Sequence, residues 1–592
     1  MKFRATLVAA ALVVGTPQLG EAVWSRVPIS VPVREAEVAD QVRPVFAEVQ
    51  RRDDGSFAAG TPVLEIPAHA RIEAWVAAPP EHEADRFRFA LTLRSEAGEP
   101  RELAVLDAGL EAPQIGWRRL AAALDDPKPS RARVTLEATL LSSEARRVES
   151  APPLLGVPVL LSEAASSPPR NVVLVSLDTL RADRLSIYGA ARETSPAIDR
   201  IARAGRRFAI ALSPSASTPP SHMSLLTGTL PCQHGIWGTH VEDKLPAAVS
   251  PLAEILSAYG YVSAALTENA YIGAPYGFAR GFDSFREFKG VPPSAGEPAA
   301  VTPSGLGPTT FAAARDWIRS HRDERFFLFV HTYQMHGPRR PTARYADLFP
   351  AEAERSPDVD WNPEFHDLRR YDQLLREADD LVHDLLATIE TLGLGDETLL
   401  VLTSDHGEAF FEHGDHGHGT SLWEEVTRVP LIFWAPGLVR PGVTDETAGL
   451  VDVVPSVLDL LRVPAPRNLD GTSFARSISE GERATAETMR RVLYMETAPG
   501  NARAARDRRY KMLRFEDGRE LRFDLVDDPG ERRPLESTTA EAEERLGRIR
   551  SELDRRERQC REQRAIAAAS RTSAVKLDEV RRERLRALGY AE

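Results

Sequence analysis

The stretch Ser213–Gly228 combines small hydroxyl residues, three prolines and a histidine ahead of an apolar run. Proline is favoured in the first turn of a helix, where no backbone N–H is required, so Pro219 and Pro220 predict a helix start. Thr218 then falls at the N-cap, beside unpaired N–H groups at the positive end of the helix dipole, where an anion binds. The same threonine is also an ordinary helix cap, and this stretch alone favours capping.

Acidic and imidazole side chains directly follow two apolar runs elsewhere in the sequence. Asp178 follows Asn171–Leu177, and Asp405 and His406 follow Thr398–Thr403. If both runs are buried strands, the loops at their carboxyl ends converge at one sheet edge. Two carboxylates and an imidazole suit a divalent cation. Taken singly, a helix-capping Asp and an Asp-His-Gly turn are the better interpretations. Taken together, the three residues favour a metal site.

Strands alternating with helices are predicted from residue 171 onward. Tyr371–Leu392 has apolar residues at helical spacing, and Ile198–Phe208 also predicts a helix. Buried strands are predicted at Asn171–Leu177, Val262–Leu266, Phe326–His331, Thr398–Thr403 and Val429–Trp434. This alternation predicts an α/β fold with a mostly parallel sheet sandwiched by helices, whose ligands gather at the carboxyl ends of the strands.

The residues before this domain have a different pattern of apolar and polar residues. Runs of period two at Ala70–Val76, Arg86–Leu93 and Ala132–Leu141 predict antiparallel strands packed as a β-sandwich. We therefore divide the chain into a β-sandwich accessory domain (24–165), a catalytic domain (170–535) and a charged, solvated helical tail (536–592). The sandwich is either a binding module or a structural cap.

The N-terminus and the composition bear on location and partners. Two basic residues precede a short apolar run, so residues 1–23 resemble a signal peptide or a short anchor, and we expect an exported protein: periplasmic, secreted or surface-anchored. The formal charge of -13 across 592 residues argues against a nucleic-acid partner. No later stretch is expected to cross a membrane. Cys232 and Cys560 are far apart in sequence, so no disulfide framework is expected.

Several strings of the chain resemble one family. They are Asp178-Thr-Leu-Arg-Ala-Asp183, Thr194-Ser-Pro-Ala-Ile-Asp199, Pro220-Ser-His-Met-Ser-Leu-Leu-Thr-Gly228, Ser404-Asp-His-Gly-Glu408 and Gly417-His-Gly419. In this order they resemble the sulfatase family of the alkaline phosphatase superfamily, over roughly residues 170 to 535. The resemblance implies a sulfatase-like fold and a metal-assisted hydrolase of sulfate or phosphate esters, with an anionic ester substrate carried by a glycan or lipid.

The chain departs from the family at the nucleophile. Family sulfatases carry Cys or Ser in the pattern Cys/Ser-x-Pro-x-Arg, and this residue is oxidised to formylglycine. Aligning Pro220 with the proline of the pattern puts Thr218 at the nucleophile and His222 at the arginine. Threonine is not a known precursor of formylglycine. Threonine nucleophiles do occur elsewhere in the superfamily, in phosphodiesterases and in phosphoethanolamine or phosphoglycerol transferases.

The resemblance also implies roles for other histidines. His222 would bind metal, donate a hydrogen bond or pack in place of the arginine. His336 matches a histidine that reaches the leaving group, where we prefer a general acid. His418 matches a position at which relatives place Lys or His on the anionic group. His413 and His416 are expected to be loop residues rather than a second metal site. Glu408 is expected to be structural.

The implied cofactor is one divalent cation, held by Asp178, Asp405 and His406. All-oxygen ligand sets favour calcium, whereas an imidazole shifts the expectation toward manganese or zinc. Two alternatives to hydrolysis stay open. The same site would serve a transferase that passes the phosphoryl group to an alcohol on a glycan or lipid. The second alternative is a catalytically inactive sulfatase fold that serves only in binding.

Overall fold

A computed structural model describes residues 22–570, except 28, 39–40, 55, 79–86, 96–98, 109–116, 125, 142–151, 166–170, 238–243, 269, 289–304, 351–361, 482–484 and 498–500. Most of the predicted signal segment therefore lies outside the described residues. No helix in the described part of the chain combines the length and the apolar character needed to cross a membrane.

Two antiparallel sheets form the N-terminal region, in agreement with its period-two runs. One contains β1 (Ala22–Val27), β7 (Ala70–Ala77), β10 (Arg118–Leu124), β12 (Leu154–Leu155) and β13 (Val159–Ala165). The other contains β4 (Gln50–Arg51), β5 (Phe57–Gly60), β6 (Leu64–Ile66), β8 (Phe87–Ser95), β9 (Arg101–Ala108) and β11 (Ser130–Leu140). Apolar side chains from both sheets, such as Ile72 and Leu136, share one buried core. This is the packing of a β-sandwich.

The main sheet has 11 strands and is parallel at its centre. Its strands are β2 (Val33–Val38), β3 (Gln41–Phe46), β14 (Asn171–Leu177), β15 (Arg206–Leu212), β16 (Val262–Thr267), β17 (Ser284–Glu287), β18 (Phe326–Thr332), β19 (Thr398–Thr403), β22 (Arg428–Val429), β23 (Leu431–Trp434) and β24 (Gly442–Gly449). β14 lies between β18 and β19 and is parallel to both. β19 pairs with β23 antiparallel, and β17 with β3 antiparallel. The sheet is thus mixed at its edges.

The hairpin of β2 and β3 changes the predicted domain boundary. These strands fall within the range assigned to the sandwich, yet they extend the main sheet, with Val42 opposite Phe285. The β-rich N-terminal region therefore covers the edge strand β17, which would otherwise present unpaired backbone groups. This contact supports the interpretation of the region as a structural cap.

Helices cover both faces of the main sheet, as predicted. The helices are α1 (Pro196–Ala204), α2 (Thr218–Thr227), α3 (Pro231–His234), α4 (Leu252–Ala258), α5 (Gly307–Ser320), α6 (Pro363–His366), α7 (Leu368–Thr391), α8 (Glu424–Thr427), α9 (Val453–Leu460), α10 (Ala475–Ser479), α11 (Ala486–Met489) and α12 (Ala540–Ser570). Side chains alternate along a strand, so Val172 and Leu174 of β14 pack with α2, α4 and α9. Val173 and Val175 pack with α1, α5 and α7 on the other face. β14 is thereby buried on both sides.

Two element predictions were wrong in part. The helix predicted over Ile198–Phe208 ends at Ala204, and strand β15 begins at Arg206. The strand predicted over Val429–Trp434 is divided at Pro430 into β22 and β23. Proline has no N–H to donate to a neighbouring strand, which explains the division.

Within the predicted solvated tail, residues 540–570 form a docked helix, and residues 571–592 lie outside the described residues. A four-stranded sheet of β25 (Leu493–Glu496), β26 (Ala502–Arg506), β27 (Tyr510–Phe515) and β28 (Glu520–Asp524) follows the main sheet. Helix α12 buries Leu546, Ile549 and Leu553 in a core shared with this sheet.

Cys560 of α12 forms a disulfide with Cys232 of α3, across a sequence separation of 328. The sequence separation led us to expect no disulfide framework, but folding brings α12 against α3 and pairs the two cysteines. The short strands β20 (Ala409–Phe410) and β21 (His416–Gly417) form a separate hairpin.

Candidate active site and metal centre

The acidic residues predicted as metal ligands lie at the carboxyl ends of adjacent strands. Ser176 of β14 is opposite Thr403 of β19 in the parallel register, so Asp178 and Asp405 each lie two residues beyond that pair. The Ser404 hydroxyl donates to the His406 carbonyl (2.7 Å) and accepts from the backbone N–H of Leu180 (2.9 Å). The Ser404 hydroxyl therefore links, by hydrogen bonds, the two loops that carry Asp178 and Asp405.

Thr218 is the first residue of α2 rather than its cap, which is Ser217. Its Oγ1 lies 3.1 Å from Nε2 of His406 and 3.4 Å from Oδ2 of Asp178, and the side chain is 1% exposed. The hydroxyl therefore faces the carboxylates and not the helix backbone. The sequence predicted Thr218 at the N-cap, and the structure places it one position later, as the first helical residue. Its hydroxyl lies beside Asp178 and His406, as the sequence suggested.

The first turn of α2 does not offer the N–H groups that the sequence suggested. Pro219 and Pro220 have no N–H, and the N–H of Ser221 already donates to the Ser217 carbonyl at 3.2 Å. An anion at Thr218 must therefore be held mainly by side chains. The expectation of a helix N-terminal anion site at the residues after Thr218 was wrong for this reason.

The donor set of Asp178, Asp405 and His406 fits a cation. One ligand atom from each lies within 4.8 Å of the others, and all three side chains are buried. Oδ1 of Asp178 and Oδ2 of Asp405 are buried without a hydrogen-bond donor. Burial, followed by the negative charge of Asp405, raises the pKa of Asp178 well above its ordinary value. Two crowded carboxylates with unsatisfied oxygens are what a divalent cation would stabilise.

His406 has the tautomer of a metal ligand. Its Nδ1–H donates to the carbonyl of Gly407 at 2.9 Å, which leaves the Nε2 lone pair directed toward Thr218. Burial lowers the pKa of His406 to about 4, so the imidazole is neutral at ordinary pH. A neutral imidazole with a fixed second nitrogen is the form that binds a metal.

A second group that could hold a cation shares Asp178 with His222 and His331. His222 is poorly suited, because both of its ring nitrogens are engaged. Nδ1 lies 3.0 Å from the Thr218 carbonyl and Nε2 lies 2.9 Å from the Ser176 hydroxyl. Burial lowers the pKa of His222, so Nδ1–H donates to the carbonyl and Nε2 accepts from the serine. The group with Asp405 and His406 fits a metal better.

His222 instead connects helix α2 to the predicted metal ligands. Its Nδ1 also lies 3.3 Å from Oδ2 of Asp405, and its ring contacts that of His331 with centroids 4.8 Å apart. Nε2 of His331 lies 3.5 Å from Oδ2 of Asp178. Sequence reasoning missed Ser176 and His331 as neighbours of the site. Both lie at strand ends, but only the register of β14 and β18 shows that they are opposite each other.

Two further histidines line the site beside His406. The ring centroid of His418 lies 4.3 Å from that of His406 and 5.1 Å from that of His336. Nδ1–H of His336 donates to the Gly337 carbonyl at 2.7 Å. Burial, and then the neighbouring His418, lowers the pKa of His336 to about 3. The structure therefore brings His336 and His418 together on the same side of the cluster.

The remaining candidate residues lie around this cluster. Nδ1 of His413 lies 2.7 Å from Oε1 of Glu425, and its ring stacks on Trp423. His416 is exposed and contacts the ring of His366, with centroids 4.5 Å apart. Neither His413 nor His416 is in either group of possible metal ligands among the described residues. Glu408 is buried and forms an ion pair with Arg339 at 2.9 Å.

Comparison with known proteins gives a consistent assignment. The family model Sulfatase matches residues 170–463, and the model for the N-sulphoglucosamine sulphohydrolase C-terminal region matches residues 412–562. Bovine (Bos taurus) arylsulfatase A is 27% identical over 445 residues, covering 62% of this chain and 83% of that protein. The ulvan-active sulfatase of Formosa agariphila is 26% identical over 395 residues, covering 61% of this chain and 75% of that protein.

Solved structures share the fold. The phosphonate monoester hydrolase of Agrobacterium radiobacter superposes with a TM-score of 0.54 at 22% identity, covering 66% of this chain and 96% of that chain. At this identity the likeness concerns the fold alone. The two family matches, the arrangement of the parallel sheet and the placement of acidic residues at its carboxyl edge agree with one another. The chain belongs to the sulfatase family of ester hydrolases, within the alkaline phosphatase superfamily.

Proposed function

We propose that this protein is a metal-dependent hydrolase of sulfate or phosphate esters that uses Thr218 as its nucleophile. The observation that carries the proposal is the position of the threonine hydroxyl, 3.1 Å from Nε2 of His406 and 3.4 Å from Oδ2 of Asp178. The third ligand of the proposed site, Asp405, contributes an unsatisfied carboxylate oxygen. A buried hydroxyl against such a group is placed for activation as a nucleophile.

The proposed substrate is an anionic ester on a glycan or a lipid. Relatives named arylsulfatase A and ulvan-active sulfatase support sulfate esters as the substrate class. The net charge of -13 does not oppose such a substrate, because local charge in a cleft can differ from the net charge.

The first half of the reaction forms a covalent ester on the protein. A divalent cation held by Asp178, Asp405 and His406 would lower the pKa of the threonine hydroxyl and offset charge on an ester oxygen. The Thr218 hydroxyl releases its proton to solvent, and Oγ1 attacks sulfur or phosphorus in line with the leaving oxygen. A bond forms from Oγ1 to the sulfur or phosphorus atom, and the bond from that atom to the leaving oxygen breaks. The leaving alkoxide takes a proton from His336.

The histidines act on charge that develops during this step. Because Nδ1–H of His336 is engaged by the Gly337 carbonyl, the transferred proton must sit on Nε2. Burial keeps free His336 neutral, with a pKa of about 3. A bound anionic ester raises that pKa, and His336 then takes up the proton from solvent before the ester bond breaks. His418 binds a non-bridging oxygen of the ester. His222 holds the backbone of the nucleophile through the Thr218 carbonyl.

The second half restores the enzyme. Water attacks the sulfur or phosphorus of the threonyl ester, the bond to Oγ1 breaks, and Thr218 regains a proton from solvent. The neutral His336 left by the first step accepts a proton from the attacking water. If an alcohol took the place of water, the same site would act as a transferase.

Phosphate or phosphonate esters are the second candidate substrates. The specific observation in their favour is threonine at the position where the sulfatase pattern has a Cys or Ser that becomes formylglycine. Phosphoryl transfer needs mainly positioning and stabilisation of charge, and a hydroxyl beside a cation supplies both.

Metal analysis and a substrate panel test the proposal. We expect purified protein to contain a divalent cation and to turn over at least one of 4-nitrophenyl sulfate, 4-nitrophenyl phosphate and bis(4-nitrophenyl) phosphate. T218A should lower kcat by about 10³-fold or more while retaining the cation. T227A is the matched control, because the Thr227 hydroxyl bonds within α2 to the Met223 carbonyl and lies outside the cluster. It should turn over substrate at the parent rate.

Other outcomes would distinguish the alternatives. Turnover by T218A at the parent rate would show that Thr218 is not the nucleophile. Bound metal without turnover of any ester, with or without an added alcohol, would favour an inactive binding protein. Faster release of 4-nitrophenol in the presence of an alcohol, with the alcohol phosphorylated, would favour the transferase.

We also propose that the protein is exported. The disulfide between Cys232 and Cys560 supports this, because disulfides persist in oxidising compartments outside the cytoplasm. Cell fractionation should place the protein in the periplasm, at the cell surface or in the medium. Recovery from the cytosol alone, with reduced cysteines, would contradict export.

A further inference from the structure

Glu408 is a buried carboxylate beside the site, and the proposed mechanism gives it no role. Its Oε2 lies 2.9 Å from Nη2 of Arg339 and 3.4 Å from Nδ1 of His418. Glu408 therefore lies between a permanent positive charge and the histidine proposed to bind the ester. An arrangement in which a carboxylate orients an imidazole is a common way to fix the ring and its tautomer.

The backbone fixes where Glu408 lies. The N–H of Gly407 donates to the Val426 carbonyl at 2.7 Å, and the N–H of Glu408 donates to the Glu425 carbonyl at 3.1 Å. A Cβ at position 407 would lie 2.1 Å from the Glu425 carbonyl oxygen, so only glycine permits this close pairing. The carboxylate is thus carried by a rigid segment that begins at the end of β19.

Arg339 is held as firmly as the carboxylate it meets. Its side chain is 1% exposed, and Nε donates to the Met335 carbonyl at 3.0 Å. The guanidinium also lies over the ring of Phe410, 4.8 Å from its centroid. A second arginine, Arg181, donates to the Glu408 carbonyl at 2.9 Å. Two arginines therefore fix Glu408, one through its side chain and the other through its backbone.

His418 occupies the space between Glu408 and the catalytic cluster. Its ring lies 4.3 Å from that of His406, measured between centroids, and Nδ1 is the nitrogen near Glu408. With Nδ1 on the carboxylate side, Nε2 is the nitrogen left for an ester oxygen. The ester oxygens require a side-chain donor here, because Pro219 and Pro220 supply no backbone N–H beside Thr218.

We propose that Glu408, held by Arg339, is a positioning residue: its carboxylate accepts Nδ1–H of His418 and fixes the ring so that Nε2, which carries a proton as well when the ester is bound, donates to a non-bridging ester oxygen. The inference rests on the proposed function, since it concerns the histidine that binds the ester there. Arg339 does not touch the ester in this arrangement. It supplies the charge that keeps the Glu408 carboxylate in place.

A double-mutant cycle on kcat/KM tests the coupling. It uses E408A, H418A and the double variant, with whichever nitrophenyl ester the parent turns over. We expect E408A to lower kcat/KM by about 10- to 100-fold, mainly through kcat. The double variant should be within about threefold of H418A, since Glu408 acts only through His418. E408Q keeps an acceptor for Nδ1–H and should recover part of the loss. All variants should retain the parent content of metal.

E425A is the matched control, because Glu425 is also a buried carboxylate beside the Nδ1 of a histidine, in this case His413 at 2.7 Å. It should keep the parent kcat/KM. If E408A is poorly folded, the cycle is run with E408Q and H418A/E408Q and must again be non-additive. The inference is overturned if E408A and E408Q keep the parent rate, if the two losses multiply, or if E425A loses as much as E408A. H418A at the parent rate would instead overturn the role of His418 in the proposed function.

Discussion

At the scale of single residues, His222 shows how this chain differs from the family pattern. Where that pattern has an arginine, an imidazole bonds the Thr218 carbonyl and the Ser176 hydroxyl and approaches Asp405. A neutral ring with both nitrogens engaged adds no charge to the site. Its contribution in the account above is to hold the nucleophile and a metal ligand in one geometry.

Replacing His222 with alanine should therefore weaken both folding and turnover. The substitution leaves a buried carbonyl and a buried hydroxyl without a partner, which costs about 1–3 kcal/mol in the free energy of unfolding. Looser placement of Thr218 and Asp405 should lower kcat by about 10- to 100-fold. Thermal unfolding and steady-state kinetics on 4-nitrophenyl esters measure the two effects.

His234 provides the matched control for that experiment. It is equally buried, and its Nε2 lies 3.0 Å from the Ser224 hydroxyl, away from the proposed ligands. H234A should lose comparable stability while the folded protein keeps the parent kcat. Equal losses of kcat in both variants would mean that His222 acts through stability alone.

The sequence was sufficient to predict which chemical groups would meet, but not how they are oriented. Asp178, Asp405 and His406 follow apolar strands, and the topology of a parallel sheet brings such ends together. The direction of the Thr218 hydroxyl depends on a helix that begins one residue earlier than expected. Contacts of Ser176 and Ser404 depend on strand register and loop geometry, which no local pattern encodes.

At the scale of elements, the segment that follows β19 sets the spacing of the site. Gly407 separates His406 from Glu408, and its position allows the close backbone pairing with Glu425 and Val426. Substitution by alanine would place Cβ 2.1 Å from the Glu425 carbonyl oxygen, a contact that backbone must relieve by moving. The free energy of unfolding should fall by about 1–3 kcal/mol, and metal affinity should fall with it.

Thermal unfolding and metal titration of G407A measure these effects. G395A is the control, because the nearest atom to its Cβ would be Cη2 of Trp434 at 3.8 Å, an ordinary contact. Its stability should stay within about 0.5 kcal/mol of the parent. Metal affinity of G407A equal to that of the parent would show that the segment tolerates displacement and does not set the ligand spacing.

Element boundaries were predictable where a signal was local. The strands β14 and β19 match their predicted limits because each is a continuous apolar run. The helix over Ile198–Phe208 was extended too far because its apolar pattern continues into β15. Gly205 marks the end of α1, and a Cβ there would lie 2.3 Å from the Phe433 carbonyl oxygen. Glycine just after a helical pattern signals the end of the helix, but the apolar residues after Gly205 led to a predicted helix that was too long.

The junction between the sandwich and the catalytic domain should respond to pH. Burial, followed by the charge of Glu73, raises the pKa of Glu324 to about 8, from an ordinary value of 4.5. The folded state therefore binds this proton more tightly than the unfolded state. Stability from this group is fully present below pH 4.5 and is lost as pH rises through about 8.

E324Q should remove that part of the pH dependence. Between pH 5 and pH 9 the fall in Tm should be smaller for E324Q than for the parent, as measured by thermal unfolding in matched buffers. E137Q is the control, because Glu137 pairs with Arg52 on a more exposed face of the sandwich. Identical pH profiles for the parent and E324Q would contradict a protonated Glu324 at the junction.

At the scale of the whole molecule, two elements outside the predicted catalytic domain, residues 170–535, are attached to it. The hairpin of β2 and β3 extends the main sheet at one edge, and α12 is joined to α3 by the disulfide between Cys232 and Cys560. α3 is the next helix after α2, which carries the proposed nucleophile Thr218. A sequence interpretation that treated the first region and the tail as separate modules could not reveal these long-range contacts.

Reduction of the disulfide should lower the stability of the protein. A cross-link that closes so long a loop restricts the unfolded chain, and its loss costs about 2–4 kcal/mol in the free energy of unfolding. Denaturant unfolding with and without a reductant measures the effect. The double variant C232S/C560S is the control, since the sequence contains 2 cysteines. It should be less stable than the oxidised parent and insensitive to the reductant. Equal stability of the reduced and oxidised parent would contradict a stabilising cross-link.

The central claim is that the Thr218 hydroxyl forms a covalent bond to the sulfur or phosphorus of the substrate. Acid quenching during turnover, followed by mass spectrometry of the peptides, tests it most directly. The account predicts that the peptide carrying Thr218 gains the mass of one sulfate or phosphate group, and that the adduct is absent from T218A. Turnover by the parent with the adduct on another residue, or undiminished turnover by T218A, would contradict it.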